Sequence, residues 1–96
     1  HEAYKRMIGY SDIDFNGHLN NSKYIEFIMD CFTIENHKQY EVAEIEVHFI
    51  NELLPGDNVT LYREISQLDK YKIYIEGHRE LDNIAFKALV AVRLKI

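Results

Sequence analysis

The side chains best suited to chemistry stand in a polar loop between residues 11 and 24. Asp14, Asn16 and His18 alternate along it, so a carboxylate, an amide and an imidazole are close in sequence. Carboxylates and histidines commonly move protons in general acid–base catalysis. The loop leads into an apolar pattern of helical spacing, and unpaired N–H groups at a helix start can receive an oxyanion. The loop is therefore a candidate catalytic site, with a purely structural turn as the competing interpretation.

A calcium loop is another interpretation of these residues. Asp12, Asp14, Asn16 and Gly17 follow the spacing with which an EF-hand loop begins. The twelfth position of such a loop holds a bidentate glutamate, whereas here it holds Lys23, whose ammonium would repel the ion. We therefore expect no metal site in this loop.

A helix follows the loop and must position it. From Asn21 onward apolar residues recur at helical spacing, at Tyr24, Phe27, Ile28, Cys31 and Phe32. Asn20 or Asn21 can cap this helix, because an amide oxygen accepts a hydrogen bond from the first turn. We predict a helix over residues 22–32. By their position beside the loop, Asn20, Asn21 and Tyr24 are candidate substrate-binding residues.

Strand patterns occupy the rest of the chain. Alternating apolar and polar residues predict five strands. They are expected near residues 4–10, 45–49, 59–66, 71–76 and 86–94. Turns are expected at Pro55-Gly56 and at Leu81-Asp82-Asn83. The order is strand, loop, one helix and a four-strand meander, an α+β arrangement in which an antiparallel sheet of about five strands wraps round one central helix, known as the hotdog fold.

Size, charge and cysteine content limit the class of protein. A chain of 96 residues forms a single domain, and its net charge of −5 argues against nucleic acid as a partner. Cys31 is the one cysteine, so the chain can form neither an internal disulfide nor a thiolate metal cage, which suggests the cytoplasm. No apolar run approaches the roughly 18 residues of a spanning helix, so we expect no membrane partner. Because the chain begins with His1, we expect it to be cut from a longer protein.

Two segments resemble the acyl-acyl-carrier-protein thioesterases, hotdog enzymes that release fatty acids during synthesis. Residues 14–25 read DFNGHLNNSKYI, close to the motif D-x-N-x-H-x-N-N-x-x-Y-I of that family. Residues 46–59 are similar to the strand and turn that follow, where a functional glutamate precedes a G-D-x-V turn. The resemblance extends from Arg6 to the last strand.

The resemblance implies that Asp14, Asn16, His18 and Glu52 are catalytic and that no cofactor takes part. Either carboxylate could be the base that activates water, while His18 could pass a proton to the leaving thiolate. Asn16 would orient the water or the carbonyl.

Water rather than a thiol is the expected nucleophile. Plant members of the family carry a cysteine directly after the functional glutamate, and this chain has Leu53 there. Cys31 has apolar neighbours in the predicted helix, so we expect it to be a small buried residue.

The family also implies partners. Its members resemble two hotdogs in tandem with the catalytic residues on the second, so residues 1–96 are expected to be the C-terminal half. The partners would be an acyl-carrier protein with a fatty acyl chain, and an upstream hotdog domain or a second copy of this chain. Single-hotdog acyl-CoA thioesterases share the pattern D-x-x-G-H-x-N-N and are the first alternative. A non-catalytic acyl-binding or assembly module is the second.

A basic patch would suit an acidic carrier. Lys5, Arg6, Lys23 and Lys38 are expected near the catalytic end. Other cations are expected on the later strands, at Lys70, Lys72, Lys87, Arg93 and Lys95. The histidines outside the loop, His37, His48 and His78, are expected to face solvent.

Overall fold

One antiparallel sheet organises residues 1–80 and 83–96, the part of the chain that the computed structural model describes. Its strands are β1 (Glu2–Met7), β2 (Tyr40–Phe49), β3 (Asn58–Ile65), β4 (Lys72–Arg79) and β5 (Asn83–Leu94). A 3-10 turn spans Tyr10–Asp12, and the α-helices are α1 (Asn21–Met29) and α2 (Ile34–Gln39). The predicted α+β class with five antiparallel strands is confirmed. Leu81 and Asp82 of the predicted turn lie outside the described residues.

The strands follow the order β1-β3-β4-β5-β2 across the sheet. The predicted meander is correct for β3, β4 and β5, but it is wrong for β2, which pairs with β5 instead of β3. Alternation of apolar and polar residues identifies a strand but does not show which strand it pairs with, so this crossover could not be inferred from the pattern. As a consequence, residues 50–57 cross from one edge strand towards the other.

One sheet face and α1 share the core. The inward residues of the strands are almost fully buried, and they include Val59, Leu61, Ile75, Phe86 and Val90. Phe27 and Ile28 of α1 are both 0% exposed. Burial of large apolar side chains is the main favourable term in folding, so this contact sets where the helix start lies.

A second helix corrects the prediction of a single one. Thr33 caps α2 by accepting a hydrogen bond from the N–H of Asn36, whose side chain in turn accepts one from the N–H of Thr33. The six residues of α2 are too few to display a helical period, so only the cap marks it in sequence. The first strand and the first helix also end earlier than predicted, at Met7 and Met29.

Two of the three other histidines are less exposed than predicted. His48 is exposed as expected. His37 is half-buried in α2 with Nε2 3.1 Å from the carbonyl oxygen of Met29, and the His78 side chain is only 19% exposed, 2.9 Å from Glu76. The ring of His37 lies beside Phe32, and the ring of His78 lies beside Tyr62 of the neighbouring strand β3, with centroids 6.0 and 4.6 Å apart. Strand alternation and charge do not reveal either contact.

Across the described residues no helix is long and apolar enough to span a bilayer.

Gly77 tests the packing of the sheet. It lies opposite Phe86, and a Cβ placed on it would come within 2.2 Å of that ring. We expect Gly77→Ala to lower the free energy of unfolding in urea by about 1–3 kcal/mol or more, because overpacking forces the core to move. Gly9→Ala is the matched control, since its Cβ would meet Asp12 at an ordinary 3.8 Å. Equal stability of the two variants would contradict the close packing of Gly77 on Phe86.

Candidate active site

The polar loop contains a tight turn closed by backbone hydrogen bonds and by the side chain of Asp14. The N–H of Asp14 donates to the carbonyl of His18 at 2.9 Å, and the N–H of Gly17 donates to the carbonyl of Asp14 at 3.0 Å. Oδ1 of Asp14 accepts from the N–H groups of Asn16 and His18, at 2.9 and 3.2 Å. Gly17 has φ of +82°, a left-handed conformation that glycine adopts without strain. Asp14 therefore fixes the backbone that carries His18.

The entrance to this turn is anchored by a buried carboxylate. Asp12 is 2% exposed, and its Oδ2 accepts from Arg6 Nη2 at 2.8 Å and from the N–H of Gly9 at 2.9 Å. The Lys23 ammonium lies 3.9 Å from Oδ1. The guanidinium of Arg6 in turn lies 4.5 Å from the ring centroid of Phe27. Asp12 thus ties the loop to β1 and to α1.

The exit from the turn is the start of α1. The side chain of Asn20 accepts hydrogen bonds from the N–H and the hydroxyl of Ser22, each at 3.0 Å. Asn20 is therefore the helix cap, one of the two positions predicted for it. Asn21 is the first residue of the helix, where the positive end of the helix dipole lies.

The segment after β2 brings Glu52 to the loop. The side-chain amide of Asn51 donates to the carbonyl of Ile84 at 2.7 Å, and Leu53 on the other side is 0% exposed. Arg79 at the end of β4 donates to the carbonyl of Glu52 at 3.0 Å. The backbone of Glu52 is thereby held on both sides, while its side chain stays 48% exposed.

Glu52 and His18 form a direct acid–base pair. Nδ1 of His18 lies 2.5 Å from Oε1 of Glu52, although the two residues are 34 positions apart. The hydrogen bond and charge of Glu52 raise the pKa of His18 above its ordinary value of 6.5, with a smaller contribution from Asp14. Because Glu52 engages Nδ1, Nε2 is the ring nitrogen left for a substrate or a water.

The pair opens onto a cleft of about 340 Å³. His18, Asn21, Tyr24, Phe49, Ile50 and Glu52 are among its lining residues. Tyr24 is 4% exposed and packs edge-on against Phe49 and Phe86, with ring centroids 4.9 and 5.5 Å away. Burial raises the pKa of Tyr24, so its hydroxyl stays protonated at neutral pH.

The structure separates the predicted site residues into groups. His18 and Glu52 touch each other, and Asn21 and Tyr24 line the same cleft. Asp14 supports the turn, and the exposed Asn16 lies within that turn. Asn20 is occupied as the cap of α1. The catalytic and binding roles of all seven residues stay predictions.

Cys31 is a buried residue, as expected. It is 4% exposed, and its thiol donates to the carbonyl of Phe27 at 3.4 Å. Burial raises the pKa of the Cys31 thiol to about 12, so the reactive thiolate is rare at neutral pH.

The residues that hold the site together lie outside the predicted catalytic set. The sequence marks Asp12 only by its calcium-loop spacing, and Arg79 and Asn51 belong to no predicted site. Asn51 stands beside Glu52 in sequence, which could have drawn attention to it, but the contact of Arg79 joins residues 27 positions apart and has no local signal. Within residues 1–80 and 83–96, no three His, Cys, Asp or Glu side chains converge as metal ligands.

The five-stranded antiparallel sheet wrapped round α1 is the hotdog arrangement that was expected. The chain belongs to the acyl-ACP thioesterase family: the family model of the acyl-ACP thioesterase C-terminal domain matches residues 2–89. No curated protein sequence matches the chain significantly.

Solved structures share this fold. An acyl-ACP thioesterase from Bacteroides thetaiotaomicron superposes with a TM-score of 0.86 at 25% identity, over 97% of this chain and 37% of that protein. A thioesterase from Thermus thermophilus complexed with coenzyme A and Zn superposes with a TM-score of 0.82 at 18% identity, over 99% of this chain and 79% of that one. A Staphylococcus aureus protein in complex with CoA gives 0.83 at 17% identity, over 97% and 75%. The chain thus spans little more than a third of its Bacteroides relative.

The pKa of His18 tests the acid–base pair. In wild-type protein, NMR titration should give a value above 6.5, and Glu52→Gln should lower it by removing both the charge and the carboxylate acceptor. In the unfolded chain Glu52 is remote, so the stabilising contribution of the charged pair is present below about pH 6.5 and is lost as pH rises through the higher folded pKa.

Glu26→Gln is the control for this titration, since Glu26 pairs with Lys23 and not with His18. A His18 pKa that is equal in wild type and Glu52→Gln would contradict the pair.

Proposed function

We propose that the protein hydrolyses the thioester of acyl-acyl-carrier protein and releases a fatty acid. The observation that carries the proposal is the contact of His18 with Glu52 in a cleft at the start of α1. A polar pair beside an apolar wall of Tyr24, Phe49 and Ile50 suits a substrate with a reactive carbonyl and a hydrocarbon tail.

The start of α1 would stabilise the developing negative charge. A thioester carbonyl beside Asn21 would lie near the positive end of the helix dipole and the first-turn amides. Preorganised dipoles of this kind act where charge develops in the transition state. Water would add to the carbonyl carbon, the C–S bond would then break, and the products would be a carboxylic acid and a thiol.

Glu52 is the favoured base. Its side chain is half-exposed beside the cleft, whereas Oδ1 of Asp14 already accepts two backbone hydrogen bonds. Glu52 would take the proton of the attacking water, and His18 would deliver a proton to the leaving thiolate. A raised pKa keeps a larger fraction of His18 protonated near neutrality, as a general acid requires. Asp14 would act by holding His18, and Asn16 by orienting the water or the carbonyl.

Coenzyme A esters are the second candidate substrate. The observation that favours them is that two proteins of the same fold, each covered for three quarters or more of its length, were solved with coenzyme A. The family match favours the acyl-carrier protein. A cytoplasmic location, suggested by the single cysteine, stays a prediction.

Substitutions separate the acid–base mechanism from a thiol mechanism. With acyl-carrier-protein thioesters, Glu52→Gln and His18→Ala should each lower kcat/KM roughly 100-fold or more, the scale of acid–base groups. Cys31→Ala should retain most of the activity. Turnover that depends on Cys31 but not on Glu52 would contradict water attack.

If wild-type protein binds acyl chains but hydrolyses no thioester, the result would favour a non-catalytic acyl-binding module over an enzyme. Parallel assays with acyl-CoA decide the substrate class.

We further propose that the cleft is completed by a second hotdog, which makes this chain the C-terminal half of a tandem protein. The sheet has β1 and β2 at its edges, and an edge strand presents unpaired N–H and C=O groups. At the end of β2 beside the cleft, Phe49 is 55% and Ile50 is 52% exposed. The coverage of 37% of the Bacteroides relative supports a longer parent.

Association is therefore expected of the chain made by itself. Without an upstream hotdog it should form a homodimer that places the same surface on both copies, the commonest oligomer geometry. Sedimentation at micromolar concentration measures the mass directly. A folded and fully active monomer would contradict the need for a second hotdog.

A further inference from the structure

A second cleft, which we call the α2 cleft, lies beyond the last residue of α1, whereas His18 precedes the first. It has a volume of about 290 Å³, and among the described residues its lining shares none with the cleft beside His18. α2 forms one wall, through Asn36, His37 and Gln39. The other walls are apolar and come from four strands and the segment after α1: Phe32, Tyr40, Val42, Ile65, Ile73 and Val92.

Strand pairing assembles the apolar part of the α2 cleft. Val42 of β2 is the partner of Val92 in β5, and Ile65 of β3 is the partner of Ile73 in β4. α1 ends at Met29 and covers this end of the sheet incompletely, so Ile65 is 57% exposed, and Val42 and Val92 are only partly buried. A hydrocarbon chain in the cleft would be favourable, because it removes apolar surface from water.

The α2 cleft is cationic in a chain whose net charge is −5. Arg63 and Lys70 line it, and within the described residues its lining contains no aspartate or glutamate. Neither cation forms an ion pair with a carboxylate anywhere in residues 1–80 and 83–96. A ligand with one negative charge would therefore meet two cations in this cleft.

Contacts with the segment after α1 and with α2 orient Arg63. Its Nη1 donates to the carbonyl of Cys31 at 2.8 Å and to Oδ1 of Asn36 at 3.4 Å. Its guanidinium carbon lies 5.9 Å from the ring centroid of Phe32. An arginine has five N–H donors in a rigid fork that matches a carboxylate, so donors on its other nitrogens are available to a ligand.

Two lysines lie elsewhere than the sequence predicts. Lys38, predicted near the catalytic end, lies in α2 and pairs there with Glu35. Lys70, predicted among the cations of the later strands, lies in the connection between β3 and β4, with its ammonium 5.3 Å from the ring centroid of Tyr71. Lys70 rather than Lys38 is therefore the second cation of the α2 cleft.

The volume of the α2 cleft limits the length of an apolar ligand. One water takes up about 30 Å³ of the liquid, and a methylene group is of similar size, so the cleft holds roughly eight to ten carbon atoms. A chain of that length with one carboxylate is a medium-chain fatty acid.

We propose that the α2 cleft is a binding site for a medium-chain fatty acid, separate from the cleft beside His18. The carboxylate pairs with Arg63 and Lys70, and the tail covers Val42, Ile65 and Val92. The match of a guanidinium fork to a carboxylate, beside an apolar wall, favours this ligand over a second copy of the chain as the occupant. Binding here is independent of the proposed hydrolysis, because His18 and Glu52 are not part of this cleft.

Calorimetry with ten-carbon ligands tests the two parts of the α2 cleft. Wild-type protein should bind decanoate about tenfold or more tightly than decanol, the value of one hydrogen bond to a charged group. Acetate, which has the charge without the tail, should also bind more weakly than decanoate. Equal affinity for decanoate and decanol, or no binding of decanoate, would overturn the proposal.

Lys70→Glu tests the charge without disturbing the contacts of Arg63 with Cys31 and Asn36. It should weaken the binding of decanoate about fivefold or more, because it replaces an exposed ion pair by a repulsion. Lys72→Glu is the matched control, since Lys72 is exposed two positions away and does not line the cleft, and its affinity for decanoate should equal that of wild type. An undiminished affinity in Lys70→Glu would overturn the proposal, and an altered sedimented mass of that variant would then identify an interface between copies.

NMR of backbone amides locates the bound acid. Decanoate should shift the amide signals of Val42 and Val92 in wild type, and the same shifts should persist in Glu52→Gln, so a failure of the proposed hydrolysis leaves this result unchanged. Shifts confined to Phe49 and Ile50, which line or adjoin the cleft beside His18, would overturn the proposal in favour of that cleft.

Discussion

The buried carboxylate of Asp12 is the constraint on which the arrangement of the site depends. A charge taken out of water is costly unless it is paired and hydrogen-bonded, and removing one partner of a buried pair typically costs about 3–5 kcal/mol. Asp12 satisfies this requirement with Arg6 of β1 and the backbone of Gly9. The polar loop can therefore leave the sheet only where Arg6 can reach Asp12, and α1 begins just after that loop.

The second half of the site depends on the crossover of β2. Because β2 pairs with β5 at the far edge of the sheet, the chain must return across residues 50–57 to begin β3 beside β1. That return passes the start of α1 and brings Glu52 to His18. The contacts of Asn51 with β5 and of Arg79 with Glu52 then hold the return segment in place. The geometry of the candidate site is thus a consequence of strand order.

The two carboxylates of the polar loop, Asp12 and Asp14, lie in different environments. Asp12 is buried in an ion pair, while Asp14 accepts backbone hydrogen bonds in a half-exposed turn. Glu52 is the carboxylate with a side chain open to the cleft and in contact with a titratable partner. Asp12 anchors the entrance of the loop, Asp14 shapes the turn, and Glu52, which lies outside the loop, contacts His18. The two acids of the loop therefore have structural contacts of their own.

The amino-acid sequence by itself determined the elements whose signals are local. The spacing of Tyr24, Phe27 and Ile28 identified α1, and alternation located β3, β4 and β5. The amides of Asn20 and Asn21 narrowed the helix cap to two positions. The motif of residues 14–25 carries the resemblance to the acyl-ACP thioesterase family. Hydrogen bonds over a few residues and side-chain periodicity are sufficient for the inferences about the helix, its cap and the strands.

Only the tertiary structure decided which of these elements meet. The pairing of β2 with β5, the burial of Asp12, the contact of His18 with Glu52 and the position of Arg79 join residues that no local period connects. The short helix α2 was missed because six residues show too little periodicity. Such contacts follow from which faces bury together, and burial is a property of the whole chain in three dimensions.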